Sequence, residues 1–344
     1  MRKLAFICFA VMTAAPAALA QSAGADTTAD FYRGKTLNIV VGHEAGTGYD
    51  VFGRTLARHL GRHLPGNPGV VSQNMPGAGG LKAANWLYNV APKDGLAVSV
   101  FAPETAFKPL FGDPAALFDT VKFAWIGNMD QSIATCAVTD RSGITTIDQL
   151  FTREALFGAT GVAAPTSQMT YGLINFLGAK IKVVQGYKGT ADMRIALNRG
   201  EIDGACGPSV STLKTQWKDE INSGRFRPIM QFSSTPSPDL PGVARVYDYA
   251  KTPEQRQVFD IAFGLHTLGR PLLAPPGLSP ERVHALRAAF AKTIADRDYL
   301  ADLQKLGLTT TPHSGEEAEA LVARFFSYPR SIIAKAHAGL HEKH

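Results

Sequence analysis

The run Gly42-His43-Glu44-Ala45-Gly46-Thr47-Gly48-Tyr49-Asp50 puts an imidazole, two carboxylates and a hydroxyl into one glycine-spaced loop. Three chemistries use loops of this kind, and each fails here on residue identity. A phosphate-binding P-loop ends in Gly-Lys-Ser/Thr, whereas this one ends in Gly48-Tyr49-Asp50. A dinucleotide fingerprint needs G-x-G-x-x-G, which Gly42, Gly46 and Gly48 do not supply. His43-Glu44 opens a zinc-protease motif, but Thr47 stands where the second histidine belongs. Anion capture remains. Glycines let the backbone turn its N–H groups towards a guest, and a helix N-terminus adds a partial positive charge worth about 0.3–1 kcal/mol. On this reading His43, Glu44, Ala45, Gly46, Thr47 and Asp50 surround a ligand. The alternative is a structural turn with no guest.

The device recurs. Asn74-Met75-Pro76-Gly77-Ala78-Gly79-Gly80 joins a strand to a helix, and Gly77, Ala78 and Gly79 expose N–H groups. Further on, Gly158 to Ser167 offers Thr160, Gly161, Ala163, Thr166 and Ser167, although Thr166 or Ser167 fits equally as a helix N-cap. Tyr187, Lys188, Gly189 and Thr190 follow another strand, with a ring to stack and an ammonium to pair, or a lysine that simply faces solvent. Cys206 ends a further strand of the same half. Catalytic sets are missing: Gly207-Pro208-Ser209-Val210-Ser211 lacks the closing glycine of a nucleophile elbow. His59 and His63 flank Gly61 on an expected exposed face without a third ligand nearby. His337, His341 and His344 read as solvated. No catalytic residue, metal or cofactor is expected. Cys136 and Cys206 read as two buried thiols, with a disulfide as the alternative.

Positioning these loops requires an alternating scaffold. Arg2 and Lys3, an apolar run to Ala17 and Ala18-Leu19-Ala20 form a signal peptide cleaved after Ala20, too short to span a bilayer at about 20 residues. Export to the periplasm follows. Residues 21–35 read as a flexible leader. Short β-branched runs at 37–41, 70–73 and 97–101 alternate with helical stripes at 50–64 and 81–90, which predicts parallel pairing. A second unit carries strands near 123–126, 133–138, 155–157, 181–185, 202–205 and 228–232, with helices at 166–177 and 191–198. Pro/Gly-rich stretches at 102–119 and 233–242 read as lobe crossings. Helices at 280–295, 299–306 and 316–336 form the tail. The expected fold is therefore α/β, with two lobes, each a mainly parallel sheet flanked by helices. Lobe 1 takes residues 36–122 and 231–344, and lobe 2 takes 123–230. A net charge of +6 on 344 residues, without a basic run, suits a small anion and argues against nucleic acid. A monomer is expected.

The order of Gly46-Thr47-Gly48-Tyr49-Asp50, Asn74 to Gly80, Pro92-Lys93-Asp94-Gly95, Tyr187 to Thr190, Ile202-Asp203-Gly204 and Leu273 to Leu278 resembles the tripartite tricarboxylate transporter receptors. These are the TctC-like, or Bug, solute-binding proteins. The resemblance implies a type II-like periplasmic binding fold that closes on a small carboxylate and presents it to a two-subunit membrane permease. Family members commonly carry a Pro-rich, triple-glycine first loop, so Glu44 is a departure. It would repel a carboxylate unless it turns away or meets a cationic part of the ligand, which leaves room for an amino acid or amide. A sensory co-receptor with the same solute, or an enzyme on the same fold, are the alternatives.

Overall fold

The computed structural model describes residues 23–161 and 164–342. The expected signal peptide with its cleavage point, Ala163 and His344 lie outside the described residues. Among those described, no helix is long and apolar enough to cross a membrane.

Among the described residues eleven strands form two sheets: β1 Thr36–Val41, β2 Gly69–Asn74, β3 Ala97–Val100, β4 Ala124–Asn128, β5 Ala134–Thr139, β6 Ala155–Gly158, β7 Ile181–Val184, β8 Gly204–Ser209, β9 Phe226–Gln231, β10 Pro271–Ala274 and β11 His313–Ser314. One sheet has the order β11-β4-β10-β3-β1-β2, the other β7-β6-β8-β5-β9. In the first, β1 pairs in parallel with β2 and β3, while β10 runs against both β3 and β4. In the second, β6 pairs in parallel with β7 and β8, while β5 runs against β8 and β9. The two-lobed α/β expectation holds, with mixed sheets. In the first sheet β10, between β3 and β4, and the two-residue edge strand β11 run against the rest; in the second, β5 alone is reversed, between β8 and β9.

That reversal follows from how the chain changes sheets. It leaves the first at Asn128 and enters the second at Ala134, which pairs with Ser209 at the carboxyl end of β8. A strand entering from that end must run backwards. The return obeys the same rule: Pro271, the first residue of β10, pairs with Asn128, the last of β4.

Several expected boundaries move. The run 123–126 was expected to open the second lobe, but β4 belongs to the first sheet, so the crossing is 129–133 and not 102–119. The latter stretch instead holds short helices at Pro103–Ala106 and Lys108–Phe111. Sequence alone could not separate these cases, because β4 is an apolar run of the same kind in either sheet. The leader contains a helix, Ala23–Tyr32, anchored by a fully buried Tyr32. The single tail helix expected over 316–336 is two, Gly315–Phe326 and Arg330–Gly339, because Pro329 cannot continue the first. The helix Pro253–Ala262 was not foreseen.

The helices Gly48–Leu60 and Pro280–Ile294 cover one face of the first sheet with Phe52, Leu56, Leu286 and Phe290. The largest core runs from Phe101 and Phe107 through Met169 to Phe259 and Phe325, so it continues from the first sheet into the second lobe. The last helix packs on Pro253–Ala262 and touches the helix Pro165–Leu177.

Candidate functional site

The crossing geometry locates the site. Strands β1 to β4 of the first sheet end at the edge where Asn128 leaves, and β6, β7 and β8 end at the edge where Ala134 arrives. A chain spans at most about 3.3–3.6 Å per residue, so the carboxyl edges of both sheets must lie close together across segment 129–133. Ligands of open α/β sheets sit at such edges. The two crossings run side by side: Met129 donates to the Arg270 carbonyl at 3.0 Å, Ser132 to the His266 carbonyl at 3.0 Å, and Arg270 to the Asn128 side chain at 2.9 Å.

Within the first lobe the expected loops do come together, but their groups are largely spent on one another. Asp50 is 3% exposed and accepts from Gly46 N–H at 2.8 Å, Asn74 Nδ2 at 2.8 Å and Arg54 Nε at 2.8 Å. These bonds hold its carboxyl below the usual range against the opposing effect of burial. Asp50 is thus a tie for the loop, and with it Gly46 loses its free donor. Thr47 caps the following helix, accepting from Asp50 N–H and donating to the Glu44 carbonyl at 2.8 Å. Glu44 and Ala45 are exposed. Gly77, Ala78 and Gly79 carry φ angles of 147°, 47° and 66°. They turn the Ala78 and Gly79 N–H groups away from any partner within the described chain. Thr105 fastens this loop by donating to the Gly79 carbonyl at 2.7 Å.

The second lobe repeats that economy. Thr166 Oγ1 accepts from Thr160 N–H at 2.9 Å and meets the Thr160 hydroxyl at 2.7 Å, while Ser167 donates to the Gly161 carbonyl at 2.7 Å. The Tyr187 ring lies over Gly158, where an added Cβ would meet it at 3.1 Å. Lys188 is exposed and Thr190 bonds Gln216 at 2.9 Å. Gly189 accepts from Met193 N–H at 3.2 Å. Cys206 is fully buried and forms a disulfide with Cys136, its partner in the β5–β8 pairing. The expectation of two free thiols is therefore corrected, and Cys206 cannot touch a ligand. His59 is also corrected: it is 6% exposed and bonds Asp302 at 3.0 Å, as His63 bonds Asp296 at 2.7 Å. Among the described residues no cluster of three or more metal-ligating side chains occurs. No backbone hydrogen bond among the described residues joins loops 42–48 and 75–80 to loops 158–167 and 185–190.

What the sequence reading missed lies at the crossings. Arg270 follows the unforeseen helix region and reaches back under the first loop. An added Cβ on Gly48 would lie 3.1 Å from its guanidinium Nη2. The guanidinium stacks on Phe52 with Cζ 4.5 Å from the ring centre and pairs with Asp130 at 2.7 Å, while its Nε is buried without a partner. Burial raises the Asp130 carboxyl although Arg270 and Thr311 pull it down. Arg270 and Asp130 line a pocket of about 230 Å³ that both lobes build. Ser209, Ser211 and Thr235 come from the second-lobe side and Thr311 from the tail. None of the residues expected from sequence lines it. Gly48 touches its arginine.

A second group sits at the end of β3. Glu104 pairs through Oε1 with Nδ1 of His266 at 3.2 Å. Burial pushes its pKa up, but the bond and charge of His266 outweigh that, so it falls below the ordinary value. His43 stacks on Tyr49 with ring centres 4.2 Å apart and 13° between planes, and its Nε2 is buried without a partner. Burial lowers the His43 pKa, opposed by Glu104. The chemistry on offer is one guanidinium, two carboxylates, two imidazoles, hydroxyls and a few backbone donors.

No family model matches the chain. A curated relative, the UPF0065 protein in the gbd 5' region of Cupriavidus necator, is 25% identical over 97% of this chain and 98% of its own. A TctC solute-binding protein from Polaromonas superposes with a TM-score of 0.71 at 20% identity, covering 88% of this chain and 99% of that one. Two proteins from Rhodopseudomonas palustris also match at 18% identity. Malate-bound MatC gives a TM-score of 0.56 over 89% and 99% of the two chains, and an adipate-bound protein gives 0.57 over 88% and 97%. These likenesses along almost the full length show that the chain shares the two-lobed α/β fold of the TctC-type proteins it superposes on.

Proposed function

We propose that this protein is a periplasmic receptor that captures a small carboxylate-bearing solute between its lobes. It then hands the solute to a membrane permease of the tripartite tricarboxylate type. The observation that carries this reading is the two-lobe pocket at the crossings, with an arginine whose donors are only partly used. At about 230 Å³ it is small beside ligand cavities, which run to about 300–1,000 Å³, and so suits a solute of a few carbons. The neighbours bound to malate and adipate hold ligands of that kind.

In this mechanism the carboxylate accepts from the Arg270 guanidinium, from hydroxyls such as Ser211 and Thr235, and from N–H groups at Ala78 and Gly79. Charge-assisted bonds contribute about 1.5–3 kcal/mol each, and three or four, less ordering costs, reach the roughly −8 kcal/mol of a micromolar complex. A more closed form brings further groups of both lobes onto the ligand, so binding draws the population towards closure. We read the protein as a binder and not as an enzyme. The cleft histidines lie against a ring and a carboxylate, and among the described residues no hydroxyl or thiol is recorded in a hydrogen bond to either imidazole.

A thermal-shift screen of residues 21–344 against mono-, di- and tricarboxylates and amino acids tests this. At a hundredfold excess over Kd the correct solute raises Tm by roughly 5 °C or more, and Arg270→Gln abolishes the shift. If no acid moves Tm, the reading fails.

A further inference from the structure

Arg270 offers its guanidinium to the pocket at the crossings, but that pocket already holds an acid. Asp130, on the first crossing segment, has 13% of its side chain exposed and lines the same cavity of about 230 Å³. Its two carboxylate oxygens have different partners. Oδ1 accepts from Thr311 N–H and from the Thr311 hydroxyl, both at 3.0 Å, which fastens the tail to the crossing. Oδ2 accepts from Arg270 Nη1 at 2.7 Å. The Asp130 carbonyl is held as well, by Arg270 N–H at 3.2 Å and Asn128 Nδ2 at 2.8 Å. The carboxylate therefore cannot swing away from the arginine without moving the crossing.

The other titratable groups around Asp130 are turned elsewhere. On the second-lobe wall of the pocket, Asp239 pairs with Lys214 at 2.8 Å. His313, on β11, bonds Gln131 Nε2 at 2.7 Å and lies 3.5 Å from Glu317. The His266 imidazole faces Glu104. The helix Arg297–Lys305 contributes Tyr299, whose hydroxyl is buried without a partner. Among the described residues, Arg270 is the one cation paired with Asp130. A solute carboxylate on Arg270 must share that guanidinium with it. Two carboxylates crowded onto one cation in a partly buried site repel, and the repulsion is relieved when one takes a proton. Asp130 is disposed to be that one, because burial already pushes its carboxyl above the ordinary value against the pull of Arg270 and Thr311.

We propose, resting on the receptor reading above, that Asp130 is the residue that governs anion capture. The solute carboxylate binds with uptake of a proton from solvent onto Asp130 Oδ2, which then donates to the solute instead of competing with it for Arg270. The sign follows. Wherever Asp130 is ionised in the free protein and protonated in the complex, affinity rises as pH falls.

Calorimetric titration of residues 21–344 between pH 6.5 and pH 8, in phosphate and in Tris, tests this. The probes are malate, glutarate, lactate, benzoate and the acid that raises Tm most in the screen above. Such acids stay ionised across this range, so a proton taken up belongs to the protein. For a probe that binds, affinity rises about three- to tenfold per pH unit of acidification, and the heats in the two buffers differ by about half a proton or more. Asp130→Asn keeps an acceptor for Thr311 and removes the competing charge. It binds about tenfold tighter at pH 8, with no pH slope and no buffer-dependent heat, although its ligand-free Tm falls because Arg270 loses its counterion. A purely structural role would instead weaken binding at every pH. The wild-type buffer comparison stands by itself should the variant not fold. A flat wild-type profile, or weaker binding by folded Asp130→Asn, overturns the proton assignment and leaves the receptor reading standing. A slope that survives in Asp130→Asn gives the proton to a histidine and overturns it equally. Heat from none of the probes overturns both.

Discussion

Arg270 shows how a residue with no motif around it can govern a site. Its guanidinium is fixed by Asp130 and by the face of Phe52, and it reaches the first loop only because position 48 carries no side chain. In Gly48→Ala the new methyl would sit 3.1 Å from Nη2, tight enough to displace the group by a few tenths of an ångström. We expect a loss of about 1 kcal/mol in ligand affinity, roughly fivefold, with Tm nearly unchanged. Calorimetry on the variant checks it, and unchanged affinity would mean that Arg270 is not a ligand contact. At this scale the sequence was legible in part. The glycine loops were found where turns demand them, and several of their side chains bond within the loops themselves. Asp50 and Thr47 bind their own loop, because a short polar side chain at a helix start meets local N–H groups before any guest. Glu104, His266 and Arg270 were invisible for the opposite reason: each gains its role from partners far along the chain.

Elements explain which parts of the fold could be read in advance. The strands at 36–41 and 97–100 are apolar runs buried along most of their length, the strand at 69–74 alternates exposed with half-buried residues, and the helices between them each bury one apolar stripe. Strands β10 and β11 are too short for a period, and nothing local tells β4 which sheet it will join. The pairing of Cys136 with Cys206 likewise required the β5–β8 register. That bond closes a loop with a sequence separation of 70 residues. Replacing both cysteines by serine is expected to cost about 2–4 kcal/mol in urea unfolding, as is adding reductant to the native protein. An unchanged midpoint would show that the second lobe does not depend on the bond. A second prediction concerns the contact between the turn Gly61–His63 and the helix Arg297–Lys305. The hydrogen bond from His63, aided by Arg62, holds the Asp296 carboxyl down to about 2. Its stabilising effect is therefore complete above the unfolded value of 3.8 and is lost as pH falls towards 2. Between pH 4 and pH 2 the wild-type Tm should fall more steeply than that of Asp296→Asn, and equal slopes would refute the assignment.

At the scale of the whole molecule, the reversed strands β5 and β10 tie topology to function. Each is the first strand laid down after a crossing, so each begins at the cleft edge, and together they oblige both sets of carboxyl ends to face the same opening. Segments 129–133 and 266–270 then form the only paired crossing among the described residues that could carry a hinge, laced by Asn128 and Asp130. The family resemblance anticipated two lobes and a cleft. It did not anticipate where within the cleft the charges would fall, because the residues that set them lie outside its motifs. The most direct test of a solute held between the lobes is a crystal structure of the protein with the tightest-binding acid from the screen. The account predicts the ligand carboxylate within hydrogen-bond distance of Arg270, with further contacts to Ser209 or Thr235 across the cleft. A ligand seated on one lobe alone, away from Arg270, would contradict it.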